Sequence, residues 1–428
     1  MSDKQKITTI TLPRGTLDLT YQTNNVAGND SAYELEDLLG FAQRINPKRA
    51  FLFVSKVLGR HIPVAPSTMR RAFTDLASLV PDNLSEPILV IGMAETAVGL
   101  SAGVHQALQT RYPNALLLNS TRHAQHDETS DGNNTETLLT TFSEDHSHAS
   151  QHLIYQSSDK VTQAQLLASK TVIMVDDEAS TGNTCINVVT ALRDAGLTQL
   201  EQVHLTTLVD WSLEQTGLDD TVSDKIASRL PNIDFYRHHL LSGAWQWTDA
   251  PNPEPITMPS VDTTAAGSQP ILPTGNWGRF PTLDSTDGFE SYLKRFKKAF
   301  AGFNNQVAFE QTLFEEDQLP KRILVLGCNE FVWLPFLLAE WLEQNTRANH
   351  VEHDIKFSAL TRSPIALGGA ITTMMSFTDN YGLGMTNFVY NVEPKDWDLI
   401  VLCVETPADS VDAMWQDLDN VLVVGADI

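Results

Sequence analysis

Residues 172–184 read VIMVDDEASTGNT, three carboxylates set between an apolar run and a small hydroxylated loop around one glycine. VIMV is short, branched and unbroken, the pattern of an inner parallel strand. Asp176 and Asp177 then stand at the strand's carboxyl end, where open α/β sheets bind ligands. Beyond them, Cys185, Val188, Val189 and Leu192 share one face of a helix that stops at Gly196. Ala179, Ser180, Thr181, Gly182, Asn183 and Thr184 therefore form the turn into a helix N-terminus. Its unpaired N–H groups and positive dipole end suit a phosphate. Gly182 removes side-chain bulk so that the backbone can close on the anion. The acids beside this cradle would repel phosphate, so they must face something else. Ribose hydroxyls and a hydrated Mg²⁺ ion are the chemical candidates.

These residues need a scaffold, and the surrounding sequence describes one. PILVIG (87–92), ALLLNS (115–120), TVIMV (171–175) and VHLTTLV (203–209) read as buried strands. Helical patterns at 97–109 and 185–195 alternate with them, which predicts a parallel sheet covered on both faces. The spacing also predicts a helix over 32–45 and a strand or buried run in FLFVSKVLGRHIPV (51–64). Residues 250–277, rich in Pro, Ser, Thr and Gly, read as a linker. The βα pattern then restarts, with strands at 322–327, 355–360, 397–404 and 421–425 and helices at 331–344 and 408–417. The expected organisation is a first α/β domain at 1–248, a linker at 249–280 and a second, Rossmann-like α/β domain at 281–428.

The second half echoes the first. LVIGMAE (89–95) parallels LVLGCNE (324–330), and LNSTRHA (118–124) parallels SALTRSP (358–364). Degenerate duplication explains this, and so does the punctuation shared by any two parallel sheets. Under duplication, Glu330 stands where Glu95 stands and Arg362 where Arg122 stands. The Asp-Asp pair has no match, because the equivalent strand continues Cys403-Val404-Glu405-Thr406-Pro407. Glu330, Arg362, Ser363 and Asn387 are the second half's candidates for a nucleotide site, a lid or a docking surface.

Between the second and third strands lies a long polar stretch, 121–152, which holds five of the twelve histidines. Loops of that length are usually functional or disordered. Its SEDHSHA knot (143–149) brings Glu144, His146 and His148 together as groups able to move protons or position a metal. No cysteine is near, so zinc is not expected there. From His123 to Asp159 the chain has seven acids and no Lys or Arg. Arg122, at the root of the stretch, is its cation.

Bulk composition excludes several classes. Net charge is −24, from 29 basic and 53 acidic residues, which argues against nucleic-acid and anionic-membrane partners. Three cysteines, far apart and odd in number, make neither a disulfide framework nor a zinc site. MSDKQKITTI has no apolar leader, no run of 18 apolar residues occurs, and a cytoplasmic protein is expected. One local exception is Arg44–Arg71, with seven basic residues and no acid. It reads as either a solvated face or an anion-collecting surface, and the second reading makes Lys56 and Arg60 candidate phosphate ligands.

Strand, Asp-Asp, three residues, Thr-Gly-x-Thr and helix together resemble the signature of the type I phosphoribosyltransferases. The resemblance implies that Asp176 and Asp177 meet the ribose hydroxyls of phosphoribosyl pyrophosphate (PRPP), with 180–184 on its 5-phosphate. GMAETA (92–97) resembles the family's pyrophosphate loop, which implicates Met93, Ala94, Glu95 and Thr96. The 121–152 stretch resembles its hood, although hoods in that family often carry Lys or Arg. A response-regulator receiver also has an acid pair after a strand, but it needs a Lys and an acceptor Asp from later strands, and VHLTTLVD offers only Asp210. INPKRAFLFVSKVLGRHIPV, GMAETA, STRH, SEDHSHA and VDDEASTGNT in this order, with Thr361-Arg362-Ser363-Pro364, are similar to the subfamily linked to bacterial tellurium resistance that carries a TRSP domain. That resemblance implies Mg²⁺-dependent phosphoribosyl transfer between PRPP or a nucleotide and an unidentified base, in making or salvaging a nucleoside-like metabolite. Partner enzymes of the same gene cluster and a homodimer are compatible with it. A regulatory PRPP- or nucleotide-binding module, reporting through the second domain, is the alternative reading.

Overall fold

The computed structural model describes residues 5–24, 33–44, 49–124, 138–143, 151–212, 225–253, 255, 257–259, 277–303, 319–348 and 353–425. The chain opens on an antiparallel hairpin, β1 (Lys6–Leu12) with β2 (Gly15–Thr23). The segment expected to be a helix over 32–45 is instead one helical turn, α1 (Leu35–Leu38), followed by β3 (Leu39–Gln43). β3 pairs antiparallel with β4 (Phe51–Ser55). The apolar spacing there is local, and tertiary packing overrides it: Phe51 of β4 meets Trp245 edge-on, and Phe53 stacks on Trp211. Helix α2 (Pro66–Ser78) starts on a proline, which needs no N–H donor there, and buries Met69, Ala72, Phe73, Leu76 and Ala77 along one stripe.

The strands and helices of the first βα run fall within two residues of expectation where the pattern is apolar. They are β5 (Ile88–Gly92), α3 (Val98–Leu108), β6 (Leu116–Asn119), the start of β9 (Thr171–Ala179), α5 (Asn183–Asp194) and β10 (Gln202–Asp210), whereas the hairpin β7 (Leu138–Ser143) and β8 (Gln151–Tyr155), α4 (Lys160–Leu167), α6 (Lys225–Arg229) and β11 (Asp234–Asp249) were not expected from local pattern. β9 runs on to Ala179, through the acids, because Thr207 and Val209 of β10 pair with Asp176 and Glu178. The sheet order is β1-β2-β11-β10-β9-β5-β6. From β6 to β11 all pairings are parallel. Sixteen-residue β11 also pairs antiparallel with β2, so it joins the hairpin to the parallel core.

The second half begins with α7 (Phe289–Phe303). It continues through β12 (Arg322–Cys328), α8 (Trp333–Ala348), β13 (Asp354–Leu360), the hairpin β14 (Met374–Thr378) and β15 (Thr386–Tyr390), β16 (Leu399–Cys403), α9 (Ala413–Gln416) and β17 (Val421–Val424). The helix expected at 408–417 is a 3-10 turn at 408–410 plus the single turn of α9. Its sheet, β13-β12-β16-β17, is parallel throughout. One continuous apolar cluster contains Phe73 and Val90 of the first half with Phe336, Val325 and Phe357 of the second. The halves are therefore packed through a shared core. Among the described residues no helix is long and apolar enough to cross a membrane.

Candidate active site

β5 and β9 are neighbours in the sheet, and Gly92 pairs with Val175. β6 lies on the other side of β5, so chain order reverses here. At such a switch point two successive carboxyl-end loops diverge and leave a crevice. Met93–Thr96 enters it from β5, and Asp176–Thr184 enters it from β9.

The first loop is tied down from below. The Ala94 N–H donates to Ser120 Oγ at 3.0 Å, and that oxygen lies 3.0 Å from His152 Nδ1. His152 is fully buried and stacks on Phe142 with centroids 4.7 Å apart. The loop is thereby connected to the β7–β8 hairpin. A cis peptide joins Ala94 and Glu95. Glu95 is buried, and its carboxylate meets Arg60 Nη2 at 3.0 Å.

In the second loop, Asp176 Oδ1 accepts the Asp177 N–H at 3.0 Å. Burial, then the Glu178 charge, push the Asp177 carboxyl up to about 6, against hydrogen bonding from Asp176 and the charge of Arg60. A buried carboxylate beside the Glu178 charge is costly, and this proton affinity is the physical consequence. Glu178 takes a different direction. Its oxygens bind Arg49 at 2.8 and 3.0 Å, and Arg49 lies over the rings of Phe51 and Phe53. Gly182 is left-handed, with φ 73°, and a Cβ there would come within 2.0 Å of Ile226 Cδ1. Only glycine satisfies both the turn and that contact. Thr181 Oγ1 accepts the Asn183 N–H, and Asn183 Oδ1 accepts from Arg229. Asn187 of α5 donates to Ser143 O, which roots β7 beside this loop.

Most of the described cations of the basic segment 44–71 face partners within the fold. Three of its cations are already spent on carboxylates: Arg49 on Glu178, Arg60 on Glu95 and Arg70 on Glu340. Lys56 Nζ donates to Glu36 O at 2.8 Å. Sequence reading saw their charge without the acids that fold against them. Arg60 alone of the two candidates touches the crevice, through Glu95. Glu144, His146 and His148 lie outside the described residues.

The second half reaches into the root of the hood. Glu330, 3% exposed, accepts from Thr121 Oγ1 at 2.5 Å and from the Arg122 N–H at 2.7 Å. Burial would raise its carboxyl, but His123, Arg279 and these hydrogen bonds outweigh it and bring it down to about 2. His123 is fully buried, stacks on Tyr381 and lies 3.0 Å from Arg362 Nη2. Burial pushes its imidazole down to about 3, so it is neutral at pH 7. Ser363 serves the second half's own backbone, its carbonyl accepting from Tyr390 Oη. Asn387 is fully buried on β15. Ser120, Arg279 and the function of Glu178 had no local signal, since each depends on a partner distant in sequence.

The fold defines an α/β protein with a glycine turn into a helix and an acid pair at a sheet switch point. Residues 38–236 match the phosphoribosyl transferase family, and residues 294–422 match the TRSP domain described as C-terminal to it. The chain carries a domain of this phosphoribosyl transferase family, with its TRSP domain following. The structure of adenine phosphoribosyl transferase from Trypanosoma brucei in complex with AMP, pyrophosphate and ribose-5-phosphate aligns at 15% identity and a TM-score of 0.30, covering 54% of this chain and 86% of that one. No curated protein matches.

Proposed function

We propose that the protein transfers phosphoribose between PRPP or a nucleotide and a base. The supporting observation is the sheet switch point, where Gly92 and Val175 pair and the 93–96 and 176–184 segments leave neighbouring strand ends. The 180–184 turn binds the 5-phosphate through backbone N–H groups at the start of α5. Asp176 and Asp177 take the ribose hydroxyls and, once ionised, favour positive charge developing at C1 in an oxocarbenium-like transition state. The Met93–Thr96 backbone receives the pyrophosphate. Arg60, already beside Glu95, is the nearest cation of this loop in the described residues' ion pairs.

Mg²⁺ suits the donor set, because adjacent Asp carboxylates are hard oxygen donors. Asp176 and Asp177 would hold it, directly or through ribose and water, and when bound it supplies charge neutralisation for the pyrophosphate. Production or salvage of a nucleoside-like metabolite, with the tellurium-resistance association of the resembling subfamily, is the biological setting we assign. The reading is tested by calorimetric titration with PRPP and Mg²⁺, followed by pyrophosphate release over a panel of bases. Asp176→Asn with Asp177→Asn should abolish both signals. Unchanged binding and turnover in that double variant would overturn it. Tight PRPP binding without release against any base would favour a sensor, a reading supported by the Lys- and Arg-free stretch between His123 and Asp159.

A further inference from the structure

The two halves correspond position by position in three dimensions. Numbered within each parallel sheet, both run second-first-third-fourth: β6-β5-β9-β10 and β13-β12-β16-β17. An antiparallel hairpin is inserted between the second and third of these strands in each, β7–β8 and β14–β15. The second strand of each sheet ends in Thr-Arg, and each threonine bridges to its own hairpin, Thr121 to Leu153 and Thr361 to Phe388.

The halves are also strapped together reciprocally. Val64, just ahead of α2, bridges Phe357 on the edge strand of the second sheet, while Thr282, ahead of α7, bridges Leu117 on the edge strand of the first. Leu117 and Phe357 are equivalent, each two residues before the partner of the strand glycine, Asn119 opposite Gly92 and Ala359 opposite Gly327. Each strap contains a Gly-Arg pair whose glycine has positive φ: Gly59-Arg60 at 65° and Gly278-Arg279 at 77°. Each arginine pairs with the glutamate three residues past the strand glycine, Arg60 with Glu95 and Arg279 with Glu330. Such reciprocity is that of an isologous dimer written into one chain.

The halves differ at the substrate position. Glu405 occupies the place of Asp177, two residues beyond the partner of the strand glycine. Arg279 closes on it with Nη1–Oε2 and Nη2–Oε1 contacts of 2.6 and 2.8 Å, and Tyr381 Oη adds a third at 2.8 Å. Glu405 is 0% and Arg279 2% exposed, so ribose has no access. Pro407 and a 3-10 turn replace the Gly182 loop. In the first half Arg60 is held differently: its Nη1 donates to Asn329 O and Leu360 O of the second half, at 2.7 and 3.1 Å. Glu330 crosses the other way, to Thr121 and the Arg122 N–H.

We propose that the C-terminal half is a second copy of the phosphoribosyltransferase fold with its substrate site closed by Arg279, serving the N-terminal site as a built-in partner subunit, with Glu330 as the positioning residue for the hood root. Its substrate arm rests on the transferase reading above, whereas its structural arm does not. Wild-type protein should bind one PRPP per chain in the presence of Mg²⁺, and Asp176→Asn with Asp177→Asn should bind none. Glu330→Ala, which removes both acceptors from the hood root, should weaken PRPP about tenfold, equivalent to about one of the two hydrogen bonds lost. It should also speed amide exchange across β8 (Gln151–Tyr155) at least tenfold. Glu330→Gln retains an oxygen for the Arg122 N–H and keeps Arg279 seated on Glu405, so it should recover most of both. Two PRPP per chain, or wild-type exchange at β8 in Glu330→Ala, overturns the proposal. If wild-type protein binds no PRPP, the transferase reading fails, and β8 exchange still decides the clamp.

Discussion

The Gly182 contact makes a quantitative prediction about the phosphate loop. An alanine there meets two separate penalties. Its backbone sits at φ 73°, which costs a residue with a Cβ about 1–2 kcal/mol. Its Cβ would lie 2.0 Å from Ile226 Cδ1 and 2.7 Å from Cγ1, an overlap that must be relieved by displacing a side chain only 2% exposed. Overpacking of that kind costs about 1–3 kcal/mol. Gly182→Ala should therefore destabilise by about 2–5 kcal/mol, about 4–20 °C in the melting temperature of a unit of 150–250 residues. Ile226→Ala separates the two penalties. In that background the overlap is gone, and Gly182→Ala should cost only the backbone share. The double-mutant cycle, read by thermal or urea unfolding, should show about 1–3 kcal/mol of coupling. If Gly182→Ala costs the same with or without Ile226, the side-chain contact does not shape this loop. A wild-type melting temperature for Gly182→Ala alone would refute the left-handed turn as well.

Three further outcomes follow from the same geometry. Asp177 is protonated below about 6 and ionised above it, so PRPP binding with Mg²⁺ should strengthen as pH rises from 5 to 7, and Asp177→Asn should remove that step from a calorimetric pH series. Folded His123 resists protonation down to about 3, while the unfolded chain takes up the proton below about 6.5. The unfolded state thus binds more protons across that window, and acidification to pH 5 should cost up to about 2 kcal/mol that His123→Gln does not lose, measured as the urea midpoint at each pH. Glu178→Gln leaves Arg49 half-matched on its aromatic bed and should destabilise by about 2–3 kcal/mol, whereas Arg49→Met with Glu178→Met should cost less than the single change, both read by urea unfolding.

The N-terminal motif was legible because its chemistry is contiguous. VIMV declares a buried strand by branching, the acids mark its end, and Gly182 marks the turn, all within thirteen residues. The principal βα elements were legible for the same reason, since each apolar run carries its own period. β3 was misread as helix, because the apolar spacing of 32–45 satisfies a helical stripe and only its pairing with β4, which packs on Trp211, Trp245 and Trp247 far away in sequence, favours the strand. The partners of the basic segment were not legible because Glu178, Glu95 and Glu340 are 129, 35 and 270 residues from their arginines, differences taken from the paired positions.

The sequence alone determined which residues could meet a sugar phosphate, because strand, acids and glycine loop are fixed by local covalent spacing. Tertiary structure decided what those residues face. It placed the 93–96 loop beside Asp176 and Asp177 through sheet order, turned Glu178 toward Arg49, and seated Arg279 on Glu405. It also brought Glu330 across to Thr121 and Arg122. Charge pairing and strand order join positions hundreds of residues apart, and no local pattern encodes which acid a given arginine will find.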